Sequence, residues 1–145
     1  MPEISDLRVS FSFKGDAVEP RLVTEKLGIE PERAYKKGEV RFSRGRPLSS
    51  RQPTGVWFVT SELPSNATLE QHLQALLTLL EPRASAIQEF KEKGYAIEFR
   101  CGLFLDWENE GTTLSSETLG RIAALGADLG LGIYYLPREG KSPQE

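Results

Sequence analysis

Tyr95-Ala96-Ile97-Glu98-Phe99-Arg100-Cys101-Gly102-Leu103-Phe104-Leu105-Asp106-Trp107 places an apolar side chain at every second position. Between those residues sit Ala96, Glu98, Arg100, Gly102, Phe104 and Asp106, a mostly polar series. A period of two puts the two series on opposite faces of a β-strand, one toward a core and one toward solvent. Thirteen residues make an unusually long strand, so a bend near Gly102 or an early end is expected.

Upstream, Thr68 and Gln71 have the spacing of a capping box, and Leu69, Leu73, Leu76, Leu77 and Leu80 form a helical stripe. Pro82 breaks that helix and starts a second, with Ala86, Ile87 and Phe90 inward and Gly94 closing it. Gly55-Val56-Trp57-Phe58-Val59-Thr60 is apolar on both faces, which suits a central strand. Leu7, Val9, Phe11 and Phe13 alternate with Arg8, Ser10, Ser12 and Lys14, so the chain opens on another half-buried strand. Gly15-Asp16 ends it, and Pro20 begins a short helix over Leu22, Val23 and Leu27 that Gly28 and Pro31 terminate. Tyr35 to Ser43 reads as a weaker strand carried by Val40 and Phe42, and Ser43 to Thr54 as a loop rich in Gly, Pro and Ser. Beyond the long strand, Ser115 caps a helix through Leu119, Ile122, Ala123 and Leu125, and Leu131 to Tyr135 forms the last strand.

The order β-α-β-β-α-α-β-α-β predicts an α+β fold in one domain, residues 1–136, followed by a disordered tail, 137–145. Its expected form is a two-layer sandwich: a largely antiparallel sheet with helices mainly on one face. The ferredoxin-like β-α-β-β-α-β arrangement would be its core, with one extra helix and strand.

At 145 residues, with 39% hydrophobic and 27% charged content, the chain is long enough to bury one substantial core. No apolar run reaches the roughly 20 residues of a membrane span, and Met1 to Asp6 lacks the pattern of a signal peptide. A cytoplasmic protein is expected, and a single cysteine fits a reducing compartment. The net charge of −3 hides an asymmetry: Lys36 to Arg51 holds six bases and one acid, a local +5 that leaves −8 for the rest.

Several residues recur in a set order. They are Gly15-Asp16 with Pro20, Leu27-Gly28-Ile29 with Pro31, Gly38, Gly55-x-Trp57, Leu73 and Gly132-Ile133-Tyr134. Through them the chain, over about residues 7–135, resembles the bacterial family of domains of unknown function numbered 4279. The resemblance implies a small bacterial α+β domain without established activity or assigned catalytic residues. Immunity or accessory roles enter by analogy with other small domains.

No catalytic signature stands out. His72, the single histidine, lies on the leucine-striped helix and reads as a boundary residue beside the core. Cys101 falls in the apolar row and reads as a small buried hydrophobe. Trp57 reads as core. Gly126, Gly130 and Gly132 precede a strand, whereas a dinucleotide fingerprint follows one. Asp106, Glu108 and Glu110 form a solvated acidic edge, spaced too widely for all three to chelate one ion without a bend. No catalytic residue, cofactor or metal site is expected.

The basic segment carries the functional expectation. Arg33, Lys36, Lys37, Arg41, Arg44, Arg46 and Arg51 offer a patch on a chain whose remainder is acidic, and arginine suits bidentate recognition of carboxylate or phosphate. Trp107, edged by acids, is a further interface residue, with Asp106, Glu108 and Glu110 as a second contact surface. The expected function is a non-enzymatic protein-binding domain, immunity- or adaptor-like. The alternative is nucleic acid or a phosphorylated ligand bound through the arginine-rich loop 36–51, although pI 5.4 is poor for a dedicated nucleic-acid binder.

Overall fold

The computed structural model describes residues 4, 6–106 and 110–135. Trp107, Glu108 and the 137–145 tail lie outside the described residues. Along the chain come β1 (Asp6–Gly15), α1 (Pro20–Leu27), β2 (Arg33–Tyr35), β3 (Val40–Ser43), β4 (Arg46–Arg51) and β5 (Gly55–Thr60). Then follow α2 (Leu69–Leu80), a 3-10 turn (Glu81–Arg83), α3 (Ala84–Glu92), β6 (Ala96–Leu105), α4 (Ser116–Ala124) and β7 (Asp128–Tyr135).

Five strands form one sheet in the order β2-β5-β1-β6-β7. All neighbours are antiparallel except β6 and β7. β1–α1–β2 leaves a gap that β5 fills, and β5–α2–α3–β6 leaves a gap that β1 fills. Two β-α-β crossovers are thus interleaved, and β6–α4–β7 adds a third unit at the edge. The long alternating segment ends at Leu105, the early termination its length required.

Local chemistry sets the helix ends. Pro20 opens α1, and Gly28 closes it in the left-handed conformation (φ 67°) with its N–H on the Thr24 carbonyl. Thr68 and Gln71 exchange both hydrogen bonds of a capping box at the start of α2. Ser115 accepts the Thr118 N–H at the start of α4.

All four helices bury their apolar stripes on the same face of the sheet. Phe13 is the hub of that core, paired across strands with Trp57 and Ile97. Its ring centroid lies 5.2 Å from Phe11, 5.4 Å from Phe90 and 5.7 Å from Trp57. The polar tips are satisfied: the Trp57 indole N–H donates to Thr24 Oγ1 at 3.0 Å, and the Tyr95 hydroxyl accepts the Glu19 N–H at 3.0 Å. Trp57 and Cys101 are fully buried, as their positions in apolar rows predict.

The segment 43–54 departs from the loop expected of it. β4 pairs with β3 to make a separate two-stranded sheet, and the weak strand expected over Tyr35–Ser43 divides into β2 and β3. Arg44 (φ 51°) and Gly45 (φ 78°) form the turn, both left-handed as a tight type I′ hairpin turn requires. Nearly every residue of β3 and β4 is exposed. With neither face buried there is no reason for apolar alternation, so the strands carry no period. Pro47 is tolerated because the hairpin has no third strand to receive its missing N–H.

Candidate functional site

The hairpin is held at its base by one carboxylate. Asp16, in the corner between β1 and α1, accepts Lys37 Nζ at 3.0 Å and Thr54 Oγ1 at 3.1 Å. Lys37 leads into the hairpin and Thr54 leaves it, so Asp16 clamps both legs. Those two hydrogen bonds, first that from Lys37, and the Lys37 charge hold the Asp16 carboxyl below the usual carboxylate range. Backbone bonds from the Gly38 N–H to the Gln52 carbonyl and from the Gln52 N–H to the Glu39 carbonyl, each 2.9 Å, close the legs above it.

The clamp sorts the basic residues. Lys36 pairs with Glu19 at 3.2 Å and Lys37 with Asp16, so both are neutralised at the hairpin's base. Arg33 stays on β2, opposite Phe58 in the main sheet. Arg41, Arg44, Arg46 and Arg51 are gathered on the hairpin, exposed, and none has an ion-pair partner among the described residues. Arg41 reaches Ser50 Oγ at 3.4 Å. Phe42, between them, is 65% exposed, and Leu48 on β4 is also exposed. The hairpin thus carries an exposed aromatic ring together with four guanidinium groups without ion pairs among the described residues.

The acidic edge is partly absorbed into the fold. The Asp106 N–H donates to Glu110 Oε1 at 2.7 Å, so that carboxylate is engaged within the fold. Cys101 is sealed: burial foremost, then the nearby Glu98 charge, pushes its thiol up to about 12.

His72 is not a boundary residue but a core one, 2% exposed. Its Nδ1 lies 2.7 Å from Ser61 Oγ, and its Nε2 is buried with no hydrogen-bond partner among the described residues. Burial pushes the imidazole below its usual range, against an opposing pull from the Pro64 carbonyl. Among the described residues no carboxylate reaches Nε2, so what is seen of the imidazole is its contact with Ser61.

A cleft of about 890 Å³ opens at the far end of β5, between α2 and the α1–β2 and β5–α2 connections. Val59 and Leu76 form its apolar floor, Ile29 and Leu79 its walls, and Glu30, Glu32 and Glu62 its rim; no lysine or arginine lines it. Glu32 takes an ion pair from Arg8 at 3.3 Å and a hydrogen bond from the Thr60 hydroxyl. Glu30 and Glu62 have no ion pair among the described residues. Ordinary in sequence, these glutamates come from two separate connections, α1–β2 and β5–α2, so only the folded chain assembles them. Asp16 likewise acts through residues 21 and 38 positions away. In sequence its one mark was the Gly15-Asp16 corner.

Fold and surface together define a small open-faced α+β domain that carries a basic hairpin at one end of its sheet. The chain belongs to a family of domains of unknown function, DUF4279, whose sequence model matches residues 5–136. No curated protein and no solved structure matches it significantly. Among the described residues, no helix is long and apolar enough to cross a membrane.

Proposed function

We propose that this domain is a non-enzymatic binding module that engages an acidic protein surface through the β3–β4 hairpin. The observation that carries this reading is the clamped, exposed hairpin, which carries the exposed Phe42 and four arginines without ion-pair partners among the described residues. A two-stranded hairpin alone is at best marginally stable in water, and a partner that pairs its charges and covers Phe42 would supply what the rest of the chain does not. By analogy with small binding domains, the role is that of an immunity or adaptor protein of the bacterial cytoplasm. The buried thiol of Cys101 accords with that compartment.

The test is differential affinity capture with the wild-type domain and an Arg44→Glu/Arg46→Glu/Arg51→Glu variant, at low and high salt. Acidic proteins retained by the wild type and lost by the variant support the reading, and so does slower, less salt-dependent association of the variant. Equal retention by both would refute it. Nucleic acid recovered by the wild type only at low salt would instead assign the arginines to phosphate, with Phe42 available for stacking.

A further inference from the structure

The hairpin and the cleft are complementary in two respects. The hairpin offers four cationic groups and an exposed aromatic ring; the cleft offers three carboxylates around an apolar floor. They flank the same β2–β5 edge at opposite ends. The hairpin springs from the Tyr35 and Gly55 end, and the cleft lies at the Glu32 and Thr60 end. Among the described residues no hydrogen bond or ion pair joins β3 or β4 to the residues lining the cleft. β5, six residues of extended chain, holds the two features apart.

We propose that the cleft of one copy receives the β3–β4 hairpin of a second copy, Phe42 against the exposed Leu63 and Leu79 and the arginines against Glu30 and Glu62. This rests on the reading of the hairpin as an acid-seeking surface and names a second copy of this chain as a partner. The placement of the two features makes the contact reciprocal. Two copies set antiparallel along their β2–β5 edges bring each hairpin to the other's cleft, so one two-fold axis satisfies both contacts and closes the assembly. A cleft of about 890 Å³ falls in the size range of sites that enclose a bound group. The complementary charges favour this occupant over an apolar or acidic one.

The test is sedimentation velocity of the full chain over a concentration series, with two charge-reversed variants. One carries Arg44→Glu/Arg46→Glu and the other Glu30→Arg/Glu62→Arg; all four positions are exposed, so both variants should keep the wild-type circular dichroism spectrum. The wild type should dimerise, with its dissociation constant rising about tenfold or more between low and high salt. Each variant alone should be monomeric. Mixed in equal amounts they should form a heterodimer, because each hairpin then meets a cleft of opposite charge. A wild type that stays monomeric throughout overturns the self-association, while differential capture still judges the hairpin itself. Variants that dimerise alone, or that fail to associate when mixed, overturn the hairpin–cleft contact.

Discussion

Gly55→Ala tests whether the corner that positions the hairpin depends on a close backbone approach. A β-carbon there would sit 2.8 Å from the Gly15 carbonyl oxygen, 2.8 Å from Val18 Cβ and 3.2 Å from the Val18 carbonyl oxygen. None of these is the end of a flexible side chain, so the β1–α1 corner must move. Overpacking of this kind costs about 1–3 kcal/mol, and the stiffer unfolded chain returns about 0.4–1 kcal/mol. The net is about 1–2 kcal/mol. With an unfolding entropy of roughly 0.3 kcal/mol/K for a chain of this length, Tm falls by about 3–7 °C. Asp16 follows Gly15 directly, so displacing the corner also strains the clamp on Lys37 and Thr54. Calorimetry measures the first effect, and faster hydrogen exchange at the Gly38 and Gln52 amides the second. Gly120→Ala is the control: its β-carbon meets nothing within 4 Å and it sits inside α4, so it should not lower Tm. An unchanged or raised Tm for Gly55→Ala, or an equal drop for Gly120→Ala, would refute the reasoning.

The Asp16 carboxyl has a folded-state pKa below its unfolded value, so the clamp is fully present above the unfolded pKa and is lost as pH falls through the folded one. Chemical shifts of Lys37 and Thr54 followed through acid titration should show that transition, and Asp16→Asn should remove it. His72 behaves oppositely in origin but alike in direction. Its folded pKa is also depressed, so below the usual histidine range the unfolded chain takes up a proton that the native ring resists. Stability should therefore fall as pH drops from 7 toward 5, and denaturant titrations should show a shallower fall for His72→Gln. Cys101, with its thiol at about 12 and its side chain buried, should resist a thiol reagent at pH 8 until the protein is unfolded. Rapid labelling of the native protein would contradict the burial.

The sequence exposes those parts of the fold in which one face is buried. Ile97, Phe99, Cys101 and Leu103 alternate because their neighbours face away from the core, and Leu69, Leu73, Leu76, Leu77 and Leu80 recur at helical spacing for the same reason. Where both faces meet solvent the signal vanishes, which is why Arg46–Arg51 resembled a loop. Its usable trace was local: Arg44-Gly45 between Phe42 and Pro47, a two-residue turn with glycine second. The burial of His72 is hidden from the sequence for a different reason. Its helical position borders the stripe, and only the β5–α2 connection, bringing Ser61 to Nδ1, carries it fully inside. The basic patch was visible as composition, but composition could not show that Lys36 and Lys37 are spent on Glu19 and Asp16. That division depends on chain reversals between β1 and the hairpin.

This division also bears on why the hairpin exists as it does. No residue of β3 or β4 belongs to the core cluster, which is built from β1, β5, β6, the helices and their flanks. The chain nevertheless directs one corner carboxylate to both hairpin legs and leaves like charges crowded at the tip. Those arginines repel one another, and Phe42 exposes apolar surface that the fold has no means of covering. On the proposed reading, a partner would offset this cost in repulsion and exposure, and the clamp would hold the hairpin ready for it. A merely solubilising loop would need neither the clamp nor the aromatic ring. Phe42→Ala separates the two: it should leave Tm within about 1 °C, since the ring is outside the core, while weakening partner capture as strongly as a charge reversal does.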